Sequence, residues 1–246
     1  MGPFLRSCCT TPIPRVEVPP LVLQDRARAT REAIVAGAAL VFEERGFGSA
    51  TIALVAEAAQ VTKGALYFHF KSKDELAGAV LEAQHSIAMA AGGRILGENR
   101  PALETIIRLC GAFGNLLVTD HIVRAGIRLT LEASAFGQEV RKPYQDWLDT
   151  MSHLTENGIQ QGHIRASVDP ADFSRYIVAS FTGVQMVSNV LNGREDVMLR
   201  IQQMWEILLP GIIDGNSGLS PAELGALVSL ESTSGNVAGR PLGQSA

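Results

Sequence analysis

The sequence predicts an all-α protein with a small N-terminal unit and a larger helical body. Two observations lead there. Apolar residues recur at helical spacing from Ile34 to Ile212, with no competing period-2 run. Capping residues or prolines stand at the heads of these stretches, at Thr51, Thr62, Ser72, Pro101, Asp120, Pro143 and Pro170. A chain of 246 residues can bury a core of this kind without crosslinks.

Taken in order, residues 1–23 carry five prolines and no helical period, which predicts a flexible leader. The first helix follows Ile34, Ala38, Val41 and Phe42 and stops at Gly46-Phe47. Thr51 caps a second, with Ile52, Val55, Ala56 and Ala59 inward, and after a short turn Thr62 opens a third. Ser72 to Glu75 read as a capping box for a fourth helix lined by Leu76, Ala79, Val80, Ala83 and Ile87. Pro101, Asp120 and Pro143 open the next three. Pro170 starts an eighth through Leu191, and a ninth runs from Met198 to Ile212 after Asn192-Gly193. Residues 214–246, rich in Gly and Ser, predict a frayed tail with a possible short helix after Ser220.

Composition excludes several function classes. Cys8, Cys9 and Cys110 form neither a disulfide framework nor a metal clip, so a reducing cytoplasm is expected. The N-terminus lacks the apolar run of a signal peptide, and the stretch 34–42 is too short to span a bilayer, so no membrane partner is expected. The five histidines show no metal-binding spacing, Cys110 has no recognisable base partner, and no paired acid and base stands out, so neither a metal, a cofactor nor an enzymatic activity is expected. The net charge of −4 hides an uneven distribution. From Gln24 to Glu75 seven Lys/Arg balance seven Asp/Glu, and the cations cluster as Arg26/Arg28/Arg31 and Lys63/Lys71/Lys73. Folded onto one face, those clusters make a basic surface.

The densest signal is VTKGALYFHF, residues 61–70. A helix opening at Thr62 turns Leu66 and Phe70 inward at i, i+4 and leaves Lys63, Tyr67 and part of His69 outside. Phe68 is expected in the core beside Phe70. A helix, a short turn and a second helix match the helix-turn-helix, whose second helix enters the DNA major groove. Gly64 lets the backbone approach a phosphate or base edge, and the Thr62 end favours an anion.

The run from Thr51 to Gln84, TIALVAEAAQVTKGALYFHFKSKDELAGAVLEAQ, closely resembles the DNA-binding domain of tetracycline-repressor (TetR) family regulators. Their Gly-x-Tyr-x-(His/Tyr)-Phe-x-x-Lys pattern closes the recognition helix and starts the fourth helix, and here Gly64, Leu66 and Tyr67 depart slightly from its spacing. The wording of 61–70 and the tryptophan of YQDWLD are similar to one subgroup, the γ-butyrolactone autoregulator receptors of actinomycetes, with their furan and butenolide relatives. The resemblance implies a homodimeric repressor on a near-palindromic double-stranded operator, released by a small hydrophobic signal and controlling antibiotic biosynthesis. It implies a helix-turn-helix domain over 24–71 and a ligand-binding and dimerisation domain over 72–213. The last two long helices are the candidate dimer interface.

Candidate DNA contacts are Arg26, Arg28, Arg31, Thr51, Thr62, Lys63, Gly64, Tyr67, His69 and Lys73. Lys63 can reach guanine, Tyr67 phosphate or thymine, while His69 and Lys73 suit phosphates. Trp147 and Tyr144 share one helical face as a ligand wall. Gln84, Thr182 and Gln185 are polar interruptions of apolar faces, as a pocket that orients a ligand needs, with Phe113, Thr130 and Met186 as further lining. A pseudo-receptor or drug-responsive regulator of the same fold stays open, as, more remotely, does an all-α enzyme using the same cavity.

Overall fold

The computed structural model describes residues 20–132 and 141–234. They form ten helices, α1 (Pro20–Ser49), α2 (Ile52–Ala58), α3 (Lys63–His69), α4 (Lys73–Leu96), α5 (Ala102–Thr119), α6 (His121–Leu131), α7 (Arg141–Gln160), α8 (Pro170–Asn192), α9 (Val197–Ile212) and α10 (Pro221–Ser234). The only extended pairing among the described residues is an isolated Ile164–Ile213 bridge. Most expected caps form. Thr51 accepts from the Leu54 amide, Thr62 from Ala65, Ser72 from Glu75, and Asp120 from both Ile122 and Val123. The Glu75 carboxylate turns to the Lys71 amide at 2.7 Å, so the capping box is shifted by one residue.

Two apolar cores divide the molecule. The smaller joins Ile34, Phe42, Val55, Leu66, Phe70, Leu76 and Val80, and α6 adds Ala125 and Leu129 to it. The larger surrounds α5, whose Leu103, Ile106 and Ile107 meet Met151 of α7, Ile177 of α8, Trp205 of α9 and Val228 of α10. The first turns of α4 thus belong to the smaller core and its far end, at Ile95, to the larger. The boundary expected at residues 71–72 falls inside shared packing. Among the described residues, Ala102–Thr119 alone is long and apolar enough to cross a membrane, and 67% of it is buried as the hub of the larger core.

The N-terminus differs from expectation where it can be seen. Of the leader, residues 1–19 lie outside the described residues, and α1 already opens at Pro20. The short helix expected after Ser220 forms as α10. In α10, Leu224 and Val228 are buried against α5 and α9, and a Cβ at Gly111 would lie 2.6 Å from the Val228 carbonyl oxygen, so α5 and α10 touch backbone to backbone. Residues 235–246 lie outside the described residues.

Candidate functional site

The short helix α3 is anchored by two side chains. Leu66 and Phe70 are 0% and 1% exposed, one turn apart. Thr62, Lys63, Gly64 and Tyr67 are exposed and His69 is half-buried, as expected. Phe68 is not in the core: it is 74% exposed. Helical phase explains the correction, because a residue two places after Leu66 is rotated by about 200°, onto the opposite side. Phe68 therefore joins Gly64, one turn before it, on the outward face, with the His69 ring edge-on at 5.2 Å. A Cβ at Gly64 would meet only the Thr62 hydroxyl, at 3.9 Å. Nothing inside the chain requires a glycine there.

The basic residues take different parts. Arg31 lies over the Phe70 ring at 5.1 Å, bringing the first cluster onto the end of α3. Arg26 and Arg28 are exposed on α1, Arg28 beside Asp25 and Glu32. Lys73 is tied to the protein itself. Its ammonium donates to the carbonyls of Phe47, Ala50 and Gly48 at 2.7, 3.1 and 3.3 Å and lies 4.4 Å from the Phe47 ring centre. An ammonium has three donors, so Lys73 can clamp the end of α1 and the start of the turn to α2 with all of them.

A second grip on that turn comes from α6. Arg128 donates to the Glu43 carbonyl at 2.7 Å and pairs with Glu132 at 2.9 Å, while Glu132 accepts from the Phe47 amide at 2.6 Å. Arg124 pairs with the Glu43 carboxylate. Gly46 lies between these groups with φ +72°, and a Cβ there would come 2.7 Å from both the Arg128 guanidinium and the Glu132 carboxylate. No sequence signal singled out Arg124, Arg128 or Glu132.

A cavity of about 80 Å³ lies among α4, α5, α6, α7 and α8. It gathers seven of the expected ligand residues, Gln84, Phe113, Thr130, Tyr144, Trp147, Thr182 and Gln185. Met186 does not reach it: one residue past Gln185, it is turned outward and 39% exposed. Phe181, Met151 and Ile127 also line the wall. Of these, Met151 was within reach of pattern reading, since it continues the Tyr144–Trp147 stripe by one more turn. The Phe113 ring sits 5.7 Å from Trp147 and 5.6 Å from Phe181. The Thr130 and Thr182 hydroxyls each donate at 2.8 Å to the carbonyl four residues back in their own helices. Gln84 and Gln185 are 5% and 2% exposed, and the Gln185 Oε1 accepts no hydrogen bond. Burial pushes the Cys110 thiol up to about 12, against the opposing pull of the Trp205 indole, so the sulfur stays protonated and neutral. A Cβ at Gly126 would sit 2.5 Å from Gln84, so α6 and α4 meet closely at the cavity wall.

On the far side of α8 and α9, Tyr176, Val187, Val190, Leu191 and Ile207 form an exposed apolar stripe, with Val190 and Ile207 80% and 82% exposed. Among the described residues no cluster of His, Cys, Asp or Glu could hold a metal ion.

Comparison with known proteins separates the same two halves. Residues 34–80 match the bacterial regulatory proteins of the tetR family, and residues 100–214 match the tetracyclin repressor-like C-terminal domain. The chain belongs to the TetR family. The A-factor receptor protein of Streptomyces griseus is 36% identical over 189 residues, which cover 77% of this chain and 66% of that protein. The crystal structure of a gamma-butyrolactone receptor described as ArpA-like superposes with TM-score 0.73 at 29% identity, covering 84% of this chain and 99% of the other. The TetR family protein CprB of Streptomyces coelicolor, in complex with its operator sequence, superposes with TM-score 0.71 at 30% identity over 85% of this chain and 99% of CprB. In this TetR-family chain the α10 helix lies beyond the matched C-terminal domain.

Proposed function

We propose that this protein is a cytoplasmic, homodimeric transcriptional repressor that holds a near-palindromic DNA operator through α3 and is released by a small hydrophobic signal of the γ-butyrolactone type. Likeness to the A-factor and gamma-butyrolactone receptors and to operator-bound CprB supports each partner. Control of antibiotic biosynthesis follows from the same relationship. Lys63, Gly64, Tyr67 and Phe68 enter the major groove, with Thr51, Thr62, His69 and the α1 arginines on the backbone. The apolar stripe on α8 and α9 pairs with its copy to set the two recognition helices about 34 Å apart.

The observation that carries the proposal is that the cavity wall and the grip on the reading unit are the same helices. Gln84 lines the cavity from α4, whose first residue, Lys73, clamps the α1–α2 turn. Ile127 and Thr130 line it from α6, whose Arg128 and C-capping Glu132 hold that turn from the other side. Signal-sized sites occupy roughly 300–1,000 Å³, so a ligand entering the space seen here presses α4 and α6 outward. Coupling of ~1–3 kcal/mol changes operator occupancy by roughly 5- to 150-fold, which is enough for release.

The test is a gel shift with DNA upstream of the protein's own gene while titrating a butyrolactone, a butenolide and a furan. Binding at low salt that is lost with one of the three is the expected result. The absence of any shift at low salt excludes the DNA role, and a shift indifferent to all three excludes the receptor role.

A further inference from the structure

We infer, resting on the ligand-release function proposed above, that the cavity selects an uncharged ligand bearing a hydrogen-bond donor, and that Gln185 is the residue that reads it. Charge is the first part. Among the described residues none of the cavity lining is Lys, Arg or His, and the sequence of 133–140 contains no basic residue. A carboxylate entering such a wall leaves its water with no cation to replace it, and that transfer is strongly unfavourable. Arg108, Arg128 and Lys142 adjoin lining residues in the chain but are not themselves part of the wall, and Arg141 lines a second, more open depression with Tyr144, Gln145 and Leu148.

The second part is an imbalance of donors and acceptors. Both threonine hydroxyls already donate to their own helices, so toward the cavity they offer only lone pairs. The Gln185 side chain is 2% exposed and its Oε1 is without a donor. A buried acceptor left unmatched calls for a partner, and inside this cavity a ligand hydroxyl can supply it. Gln84 and Tyr144 remain for a ring carbonyl.

The test uses the full-length protein and calorimetry with three probes of equal chain length: an alkyl γ-butyrolactone with a chain hydroxyl, its methyl ether, and an alkylfuran carboxylic acid at neutral pH. The hydroxylated lactone is expected to bind roughly 10- to 100-fold more tightly than the ether, and the acid about a thousandfold more weakly than the hydroxylated lactone. Gln185→Met is expected to lower the hydroxylated lactone to the level of the ether while the ether moves less than about threefold. Equal binding of ether and hydroxyl by the native protein overturns the role of Gln185, and tight binding of the acid overturns the selection against charge. Binding of none of the three overturns the lactone-receptor function itself, a separate outcome from binding without discrimination.

Discussion

The reading unit and the body of this protein are held together by different forces. The body is organised around α5, a helix buried on nearly every side by apolar neighbours from α4, α7, α9 and α10. The reading helix α3 is seven residues long with one fully buried side chain of its own, and the turn before α2 is fixed by Lys73, Arg128 and Glu132 bonded to backbone groups. Apolar packing is close to all-or-none, whereas a few charged side chains on carbonyls and amides can shift partners at small cost. On the proposed function, this difference is what would let a ligand in the body reorient the reading unit without unfolding either part.

The comparison breaks most completely if the small anchor is removed. Leu66→Ala deletes the buried side chain of α3 and is expected to destabilise the reading unit by about 2–5 kcal/mol, abolishing operator binding while the larger core persists. Chemical denaturation followed separately by operator binding and by the fluorescence of Trp147 and Trp205, both in the larger body, checks this, and a single unchanged transition counts against it. Next in size are the outward residues. Lys63→Ala is expected to weaken operator binding by about 1–3 kcal/mol and relax preference at one base step, with the melting temperature unchanged, as read by fluorescence anisotropy on a panel of single-base variants.

The polar grip sharpens the contrast further. Glu132→Gln keeps an acceptor for the Phe47 amide but removes the charge facing Arg128, and the loss is expected to be about 0.5–1.5 kcal/mol. Its signature lies in coupling: operator affinity without ligand stays near native, while the ligand concentration needed for release changes several-fold. A double-mutant cycle with Gln84→Ala measures whether cavity and grip share one network. Smallest is Met186→Ala, a surface change turned away from the cavity, which should leave ligand affinity within about 0.5 kcal/mol of native in the same calorimetric assay.

The local parts of this architecture were legible because they depend on neighbours in the chain. Thr51, Thr62, Ser72 and Asp120 cap helices that begin where they stand. Polar residues inside apolar stretches, such as Gln84, Thr182 and Gln185, pointed to the cavity because a buried amide or hydroxyl needs a reason. Phe68 was misplaced when aromatic composition outweighed helical phase. The clamp made by Lys73 was not legible because its carbonyl partners lie 23 to 26 residues earlier. The contacts of Arg128 and Glu132 span about 85 residues, and in the sequence both look like ordinary solvated charges. Phe181 looks like any other core aromatic until α5 and α7 bring Phe113 and Trp147 to meet in front of it.

Gly64 stands inside a helix with open space where a methyl group could go. Replacing it with alanine is expected to make the isolated protein somewhat more heat-resistant, by less than the roughly 1 kcal/mol that separates glycine from alanine in a helix interior, because Gly64 lies in the first turn. In the proposed operator complex the same methyl would stand between the backbone and the groove. Selection for robustness and selection for regulation therefore push this codon in opposite directions, and a library screened for thermal survival alone would be expected to enrich well-folded repressors that no longer repress.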